Sequence, residues 1–365
     1  MHKIIILGSI PPPYIGPNVA TKIILNSELK KKFNLIHLDT SDHRDLSALG
    51  AIDFINLYLA LKHYSFLIWM IITRRPGVVY IPLSQTTLGY LRDGGFILIS
   101  KLFRRKVICH LRGGNFKNWF NSTNVVMRSF VRIVHSLVDG QIVLGEKLKH
   151  LFYGIISDKK IHVVPNGGNF DINYKGGVKT RLTILYLANF DRTKGILDTL
   201  NATPEVYRFC EEVEFIFAGD FIHKDVKQEV DLFLKGYRNI PIKFEGPVYG
   251  EKKDNILASS DIFVFPTYYP PEGHPWVILE AMAAGLPIIT TDQGAITESV
   301  IDGVNGFIVE KRNPEQIAEK IKLLIENPQL RQRMGRESRR LYLENFTEKK
   351  MVERLTSVFY KVLEN

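Results

Sequence analysis

Cysteine is scarce: Cys109 and Cys210 are the only two in 365 residues. That excludes a disulfide scaffold and any multi-cysteine metal site, and it fits a reducing cytoplasm. There is no Asp-x-Asp pair and no His/Cys cluster with metal-ligand spacing, so no metal is expected. The loop after the first apolar run, "PPPYIGPN" (Pro11–Asn18), is not the G-x-G-x-x-G of a dinucleotide-binding turn. No signal peptide is evident, because Lys3 is followed only by a short "IIIL" that enters "GSIPPP". Long apolar runs are missing too. The strongest, "YSFLIWMIIT" (Tyr64–Thr73), is ten residues long, too short to span a bilayer, and Lys62, Arg74 and Arg75 bracket it. It reads as a core helix, with a helix lying on a membrane as the alternative. Short repeats and low-complexity tracts are absent.

Acidic residues are sparse in the first half. The net charge is +10, but through Lys175 there are 23 Lys and Arg against 10 Asp and Glu, and beyond it 25 against 28. A basic first half suits nucleic acid, an anionic membrane surface or a phosphorylated substrate, with general solubility as the plain alternative. The patches "LKKKF" (Leu29–Phe33), "TRRP" (Thr73–Pro76) and "LFRRKV" (Leu102–Val107) lack the aromatic spacing of an RNA platform. Anionic lipid or a lipid diphosphate acceptor therefore fits better than nucleic acid; each patch also fits a solvated face.

What is present is an alternation of strands and helices in a chain long enough for two domains. Buried strands are read at Lys3–Leu7, Gly77–Ile81, Lys106–Leu111, Gly140–Leu144 and Lys160–Val164. An amphipathic segment carries Phe54, Leu57, Tyr58, Leu61, Ile68, Trp69 and Ile72 at helical spacing. After the Gly- and Asn-rich stretch Pro165–Arg181, read as a link, a second series follows at Leu182–Ala188, Val213–Gly219, Ile242–Gly246, Ile262–Pro266, Pro287–Thr290 and Gly306–Glu310. This predicts two α/β domains with doubly wound parallel sheets, over 1–173 and 174–345, with a cleft between them. A C-terminal amphipathic helix is read over Glu344–Asn365.

One stretch concentrates the chemistry: "PPEGHPWVILEAMAAGLPIITTDQG", Pro270–Gly294. Pro275 suits a first helical turn and Gly285 a C-terminal cap. The first N–H groups, Trp276 to Ile278, would then point out of the helix end, where with the helix dipole they favour a phosphate. Glu272 precedes the helix and Glu280 leans back toward its start. Two acceptor-only carboxylates on either side of a diphosphate suit the hydroxyls of a nucleoside diphosphate-sugar, ribose at Glu280 and sugar at Glu272. Taken alone, the spacing fits a capping Glu272 and a solvated Glu280 equally well.

The flanking residues add a resemblance. "EGHPWVILEAMAAGLP" matches the Glu, seven residues, Glu signature of the retaining glycosyltransferases of family 4, which have the GT-B fold. "TTDQGAITESVIDGVNGFIVE", "FEGPV", "SSDIFVFPT", "HVVPNGGN" and "LGSIPPPYIGP" are similar to further family segments, so the resemblance covers nearly the whole chain. It implies two Rossmann-like domains facing each other across a cleft, the first binding acceptor and the second the nucleotide-sugar, with the terminal helix over 346–365 crossing back to the first. It implies that Glu272 contacts the donor sugar near the reacting centre and that Glu280 holds the ribose. The loop residues Gly273 and His274 and the helix start Trp276, Val277 and Ile278 would line the donor. "ANFDRTKG" matches the family's phosphate-binding turn, with Lys194 as the phosphate lysine; the family's arginine falls on Asn189, a departure, and Arg192 lies out of register. Lys194 also follows a strand, where ligands of doubly wound sheets bind.

In the first half, Gly16 is a candidate for close approach to donor phosphate or acceptor, or part of a stiff connecting loop. In "CHLRGGNF", many relatives carry a histidine where this chain has Arg112. His110, two residues earlier, is a candidate catalytic donor to a sugar hydroxyl or a buried structural residue. Arg112 is a candidate for a phosphate, and Asn115 and Phe116 for the acceptor pocket. The resemblance implies a metal-independent, retaining transfer without cofactor, to a lipid-linked saccharide of a cell-surface polysaccharide such as O-antigen, lipopolysaccharide or capsule. The place is the cytoplasm, with peripheral contact to the inner face of an anionic membrane through the basic N-terminal domain. A sugar-nucleotide epimerase or hydrolase, and a non-catalytic nucleotide-sugar-binding scaffold, are the alternatives.

Overall fold

In the computed structural model residues 1–12, 15–41, 54–172 and 180–364 are described. They form two compact units, Met1–Gly168 with Glu348–Asn365, and Asn169–Thr347. The boundary expected between 173 and 174 lies outside the described residues; the contacts divide the chain between Gly168 and Asn169.

The first unit runs β1 (Lys3–Gly8), α1 (Gly16–Asn26), β2 (Asn34–Asp39), α2 (Phe54–Arg74), β3 (Val78–Leu83), α3 (Thr87–Leu102), β4 (Lys106–Leu111), α4 (Phe116–Ser122), α5 (Val125–Ser136), β5 (Gly140–Val143) and β6 (Ile161–Val163). Its six strands are parallel in the order β2-β1-β3-β4-β5-β6. The near-continuous Val and Ile runs of β1, β3 and β4 are what a sheet covered on both faces requires. The edge strand β2, "NLIHLD", was not expected from the sequence: its mixed polarity and partial burial follow from having one neighbour.

Ile4, Ile6, Tyr80, Ile108 and Ile142 on one face of this sheet pack with Ile24 of α1 and with Leu355, Phe359 and Val362 of the terminal helix α12 (Glu348–Glu364). The right-handed crossovers put α2 to α5 on the other face. The core-helix expectation for Tyr64–Thr73 is overturned there. α2 is 21 residues long and buries only His63, Leu67 and Ile71, an i, i+4, i+8 stripe. The apolar residues the sequence marks as a face, Phe54, Leu57, Tyr58, Leu61, Trp69 and Ile72, are exposed, because α2 is apolar nearly all round and the sheet covers one stripe.

The second unit runs β7 (Leu182–Leu187), α6 (Ile196–Phe209), β8 (Val213–Ala218), α7 (Lys224–Gly236), β9 (Ile242–Gly246), α8 (Gly250–Ala258), β10 (Ile262–Phe265), α9 (Trp276–Ala283), β11 (Ile288–Thr291), β12 (Gly306–Val309), α10 (Pro314–Glu326) and α11 (Pro328–Asn345). The parallel order is β12-β11-β10-β7-β8-β9. The single tail helix expected from Glu344 is corrected. Phe346 leaves the helical path to bury its ring against His274, α11 stops at Asn345, and α12 starts afresh where Glu348 N donates to Gly168 O at 2.9 Å.

Candidate active site

Strand order in the second sheet fixes the site. The chain lays down β7, β8 and β9 outward, then returns to place β10 on the other side of β7. The switch point lies between β7 and β10, and in doubly wound sheets ligands bind beyond the carboxyl ends of the strands there. Lys194 follows β7, and Glu272 and the start of α9 follow β10.

Lys194 sits on a stiff corner. Asp191 caps the turn by accepting from Thr193 N at 2.7 Å. Gly195 has φ 79, and a Cβ on it would meet the carbonyl of Pro266 just past β10. Tyr268 N donates to Thr193 O at 2.7 Å, and the buried Tyr186 hydroxyl donates to Lys194 O at 3.1 Å. The Lys194 ammonium is thereby delivered 2.5 Å from Glu272 Oε2 and 4.3 Å from the ring centroid of Tyr269. The Thr267 hydroxyl lies 3.4 Å from the same carboxylate oxygen.

The loop carrying Glu272 and Gly273 is held from the far side. Gly294 has φ 60, and a Cβ there would collide with the carbonyls of Glu272 and Gly273. Ala295 N donates to Gly273 O at 2.7 Å. The His274 ring is engaged by the Ser299 hydroxyl at 2.5 Å and by Phe346, so its side chain props the loop. α9 begins at Trp276 after Pro275, which supplies no side-chain cap, and Gly285 at φ 72 closes its far end. The Val277 and Ile278 amides lie in that first turn.

Glu280 is buried on α9 and meets a cation not anticipated from the sequence: Lys253 of α8, Nζ 2.6 Å from Oε1. Nothing local in "GEKKDNILA" separates Lys253 from its solvated neighbour Lys252; α8's packing does. Asn189 is exposed. The guanidinium of Arg192 pairs with Glu229 and Asp225 on α7 at the surface. Among the described residues no group of three or more His, Cys, Asp or Glu is arranged to hold a metal ion.

In the first unit, His110 and Arg112 share a network at the carboxyl end of β4. Arg112 donates to the Tyr80 hydroxyl at 2.8 Å and to Asn166 Oδ1 at 3.3 Å. The Tyr80 hydroxyl and His110 Nδ1 are 2.6 Å apart. With its oxygen taken by Arg112, Tyr80 donates to Nδ1, which assigns the imidazole proton to Nε2. Burial, then the Arg112 charge, pushes His110 well below 6.5, so the ring is neutral. Its buried Nε2 has no hydrogen-bond partner among the described residues. Tyr80 lies inside a strand reading as plain core, which is why the sequence hides it.

Asn115 N donates to Gln85 Oε1 at 2.6 Å. Phe116 is fully buried, 4.5 Å from Phe152 between ring centroids and flanked by Tyr90, Trp119 and His135. It is a core residue, and the acceptor-pocket expectation for it is corrected: its helix turns the ring inward. Gly16 opens α1 and is exposed; β1 and α1 pack closely at Gly8 (φ 144), where a Cβ would sit 2.8 Å from the Thr21 hydroxyl.

Residues 171–341 match the family model "Glycosyl transferases group 1". The chain is 24% identical over 287 residues to an uncharacterized glycosyltransferase of Methanocaldococcus jannaschii, MJ1069, covering 74% of this chain and 72% of that one. It is 28% identical to the capsular polysaccharide biosynthesis glycosyltransferase CapM of Staphylococcus aureus, a match spanning only 60% of each chain. The crystal structure of Anabaena Alr3699/HepE in complex with UDP superposes with a TM-score of 0.73 at 18% identity, covering 99% of this chain and 100% of that one. The GT-B fold class is therefore that of this chain, and its second unit belongs to the group 1 glycosyl transferases.

Proposed function

We propose that the protein is a retaining, metal-independent glycosyltransferase of family 4 that moves a sugar from a nucleoside diphosphate-sugar to a lipid-linked saccharide in cell-surface polysaccharide synthesis. The observation that carries this reading is the Lys194–Glu272 pair at the switch point, set at the mouth of α9 with Glu280 along the same helix. The diphosphate meets the α9 amides and Lys194, which offset leaving-group charge by fixed dipoles and an ammonium. Glu280 accepts from the ribose diol and Glu272 from the donor sugar. The anomeric C–O bond to phosphate breaks as the bond to the acceptor oxygen forms on the same face, and the departing phosphate oxygen takes the acceptor proton. His110 offers Nε2–H to a sugar hydroxyl, which would satisfy its unpaired donor.

The UDP in the HepE structure supports a nucleotide-bearing donor, and the CapM relative supports a surface-polysaccharide acceptor. The acid-poor first half supports a cytoplasmic enzyme in peripheral contact with an anionic membrane. The test is transfer from UDP-, GDP- and ADP-sugars, with the product anomer read by NMR, in wild type, Lys194→Ala and Glu272→Ala. Near-normal turnover in either variant, or an inverted anomer, defeats the reading; sugar release without acceptor would mark a hydrolase.

A further inference from the structure

The outer surface of α2, α3 and α5 is left over by the proposed chemistry. Of the twenty-six exposed large apolar side chains among the described residues, fifteen sit on these three helices, including Phe54, Leu61, Trp69, Leu102, Val126 and Ile133. The same segment is almost free of acid. From Phe54 to Val138 there are twelve Lys and Arg and one carboxylate, Asp93. Asp93 is fully buried, 2.8 Å from Arg92. Lys62, Arg74 and Arg132 are exposed among the apolar residues, and Arg74 lies over the Trp69 ring at 6.0 Å.

We infer that this face binds an anionic phospholipid bilayer, with α2 lying in the plane of the interface and inserting its outer apolar side. Apolar residues reach the acyl boundary while interspersed cations meet anionic headgroups, the arrangement that holds a helix on a membrane. By length and composition alone α2 would qualify as a span. Its packing argues for lying flat: Tyr64 donates to Arg92 O at 3.0 Å, its ring sits 5.0 Å from Phe96, and a side chain on Gly95 would collide with it. A second copy of the chain is a poor occupant, because a self-paired contact sets cations against cations. α2 starts at the carboxyl edge of the sheet, the edge that carries His110 and Arg112, so docking brings that edge to the lipid surface.

This deepens the membrane contact proposed above, and its test needs neither donor nor acceptor, so it fails or survives separately from sugar transfer. The full chain is floated with phosphatidylcholine vesicles and with vesicles containing 30% phosphatidylglycerol (about 30%, enough to set a negative surface potential). Binding is expected to the anionic vesicles, about tenfold or more above the neutral ones, and to weaken with salt. Brominated lipid should quench the wild type and quench Trp69→Phe much less. Leu61→Glu/Trp69→Glu and Lys62→Glu/Arg74→Glu/Arg132→Glu should each lose about tenfold or more in binding with the melting temperature held, since all five residues are exposed. Absence of vesicle binding, binding unchanged in both variants, or a dimer that the Leu61→Glu/Trp69→Glu change dissolves would overturn the inference.

Discussion

Lys253 Nζ lies 2.6 Å from Glu280 Oε1, so the carboxylate assigned to the ribose is already held by an ammonium from the neighbouring helix. The pair is mostly buried, with Glu280 the less exposed partner. An acceptor that must stay charged in a dry site needs such a counter-ion.

Lys253→Ala should therefore weaken nucleotide binding rather than improve access to Glu280. Without the lysine the buried carboxylate is no longer held in place as a charged acceptor for the ribose. Calorimetry with a nucleoside diphosphate is expected to show Kd raised by about tenfold or more, for 1.4 kcal/mol per tenfold. An unchanged Kd would mean that Lys253 and Glu280 do not act together.

The two cations of the β7–α6 turn should behave oppositely. Lys194 is paired at the switch point, whereas Arg192 is tied to Glu229 and Asp225 at the surface. Lys194→Ala is expected to lower kcat by about 10²–10³, the range for losing one group that stabilises developing charge. Arg192→Ala should transfer sugar at close to the wild-type rate. Steady-state kinetics on both decides whether Arg192 substitutes for the arginine absent at Asn189.

Much of this was legible because it is local. The α9 start just after Pro275, its glycine close at Gly285 and the Lys194–Gly195 corner each follow from a residue whose backbone preference permits little else. Strands with near-uniform Val and Ile were readable for the same reason. What stayed hidden depends on contacts distant in sequence. Lys253 looks like Lys252 until α8 packs beside α9, and Tyr80 looks like any strand residue until Arg112 reaches it. α2 misled most: helical spacing marks which residues share a face, but not whether anything covers that face.

Gly294→Ala tests the loop geometry without touching a charged residue. The backbone there is left-handed, and a Cβ would strike the carbonyls of Glu272 and Gly273. A strained residue of this kind costs about 1–3 kcal/mol, and relief requires moving the segment that carries Glu272. Thermal unfolding should shift down by several degrees and donor affinity should fall with it. Normal affinity at lowered stability would show that the loop position is not critical to the site.

The first unit should lose stability in mild acid, and the sign follows from its buried histidines. Burial lowers His135 to about 4 and places His110 well below 6.5, with the Arg112 charge adding to the latter. His135 lies between the Tyr90 hydroxyl at 2.5 Å on Nδ1 and Gln141 Oε1 at 3.1 Å on Nε2, with no room for solvent to support a charge. Above pH 6.5 both rings are neutral whether folded or unfolded, and stability does not depend on them. As pH falls below 6.5 the unfolded chain takes up protons that the folded chain refuses. Unfolding is then favoured by up to about 1.4 kcal/mol per pH unit for each such ring. For His135 this continues to about pH 4, where the folded state also protonates. Denaturant melts between pH 7 and 5 should show this slope in wild type, and His135→Gln should be less stable at pH 7 yet flatter by close to one proton. An equal slope in both proteins would mean that His135 is charged in the fold.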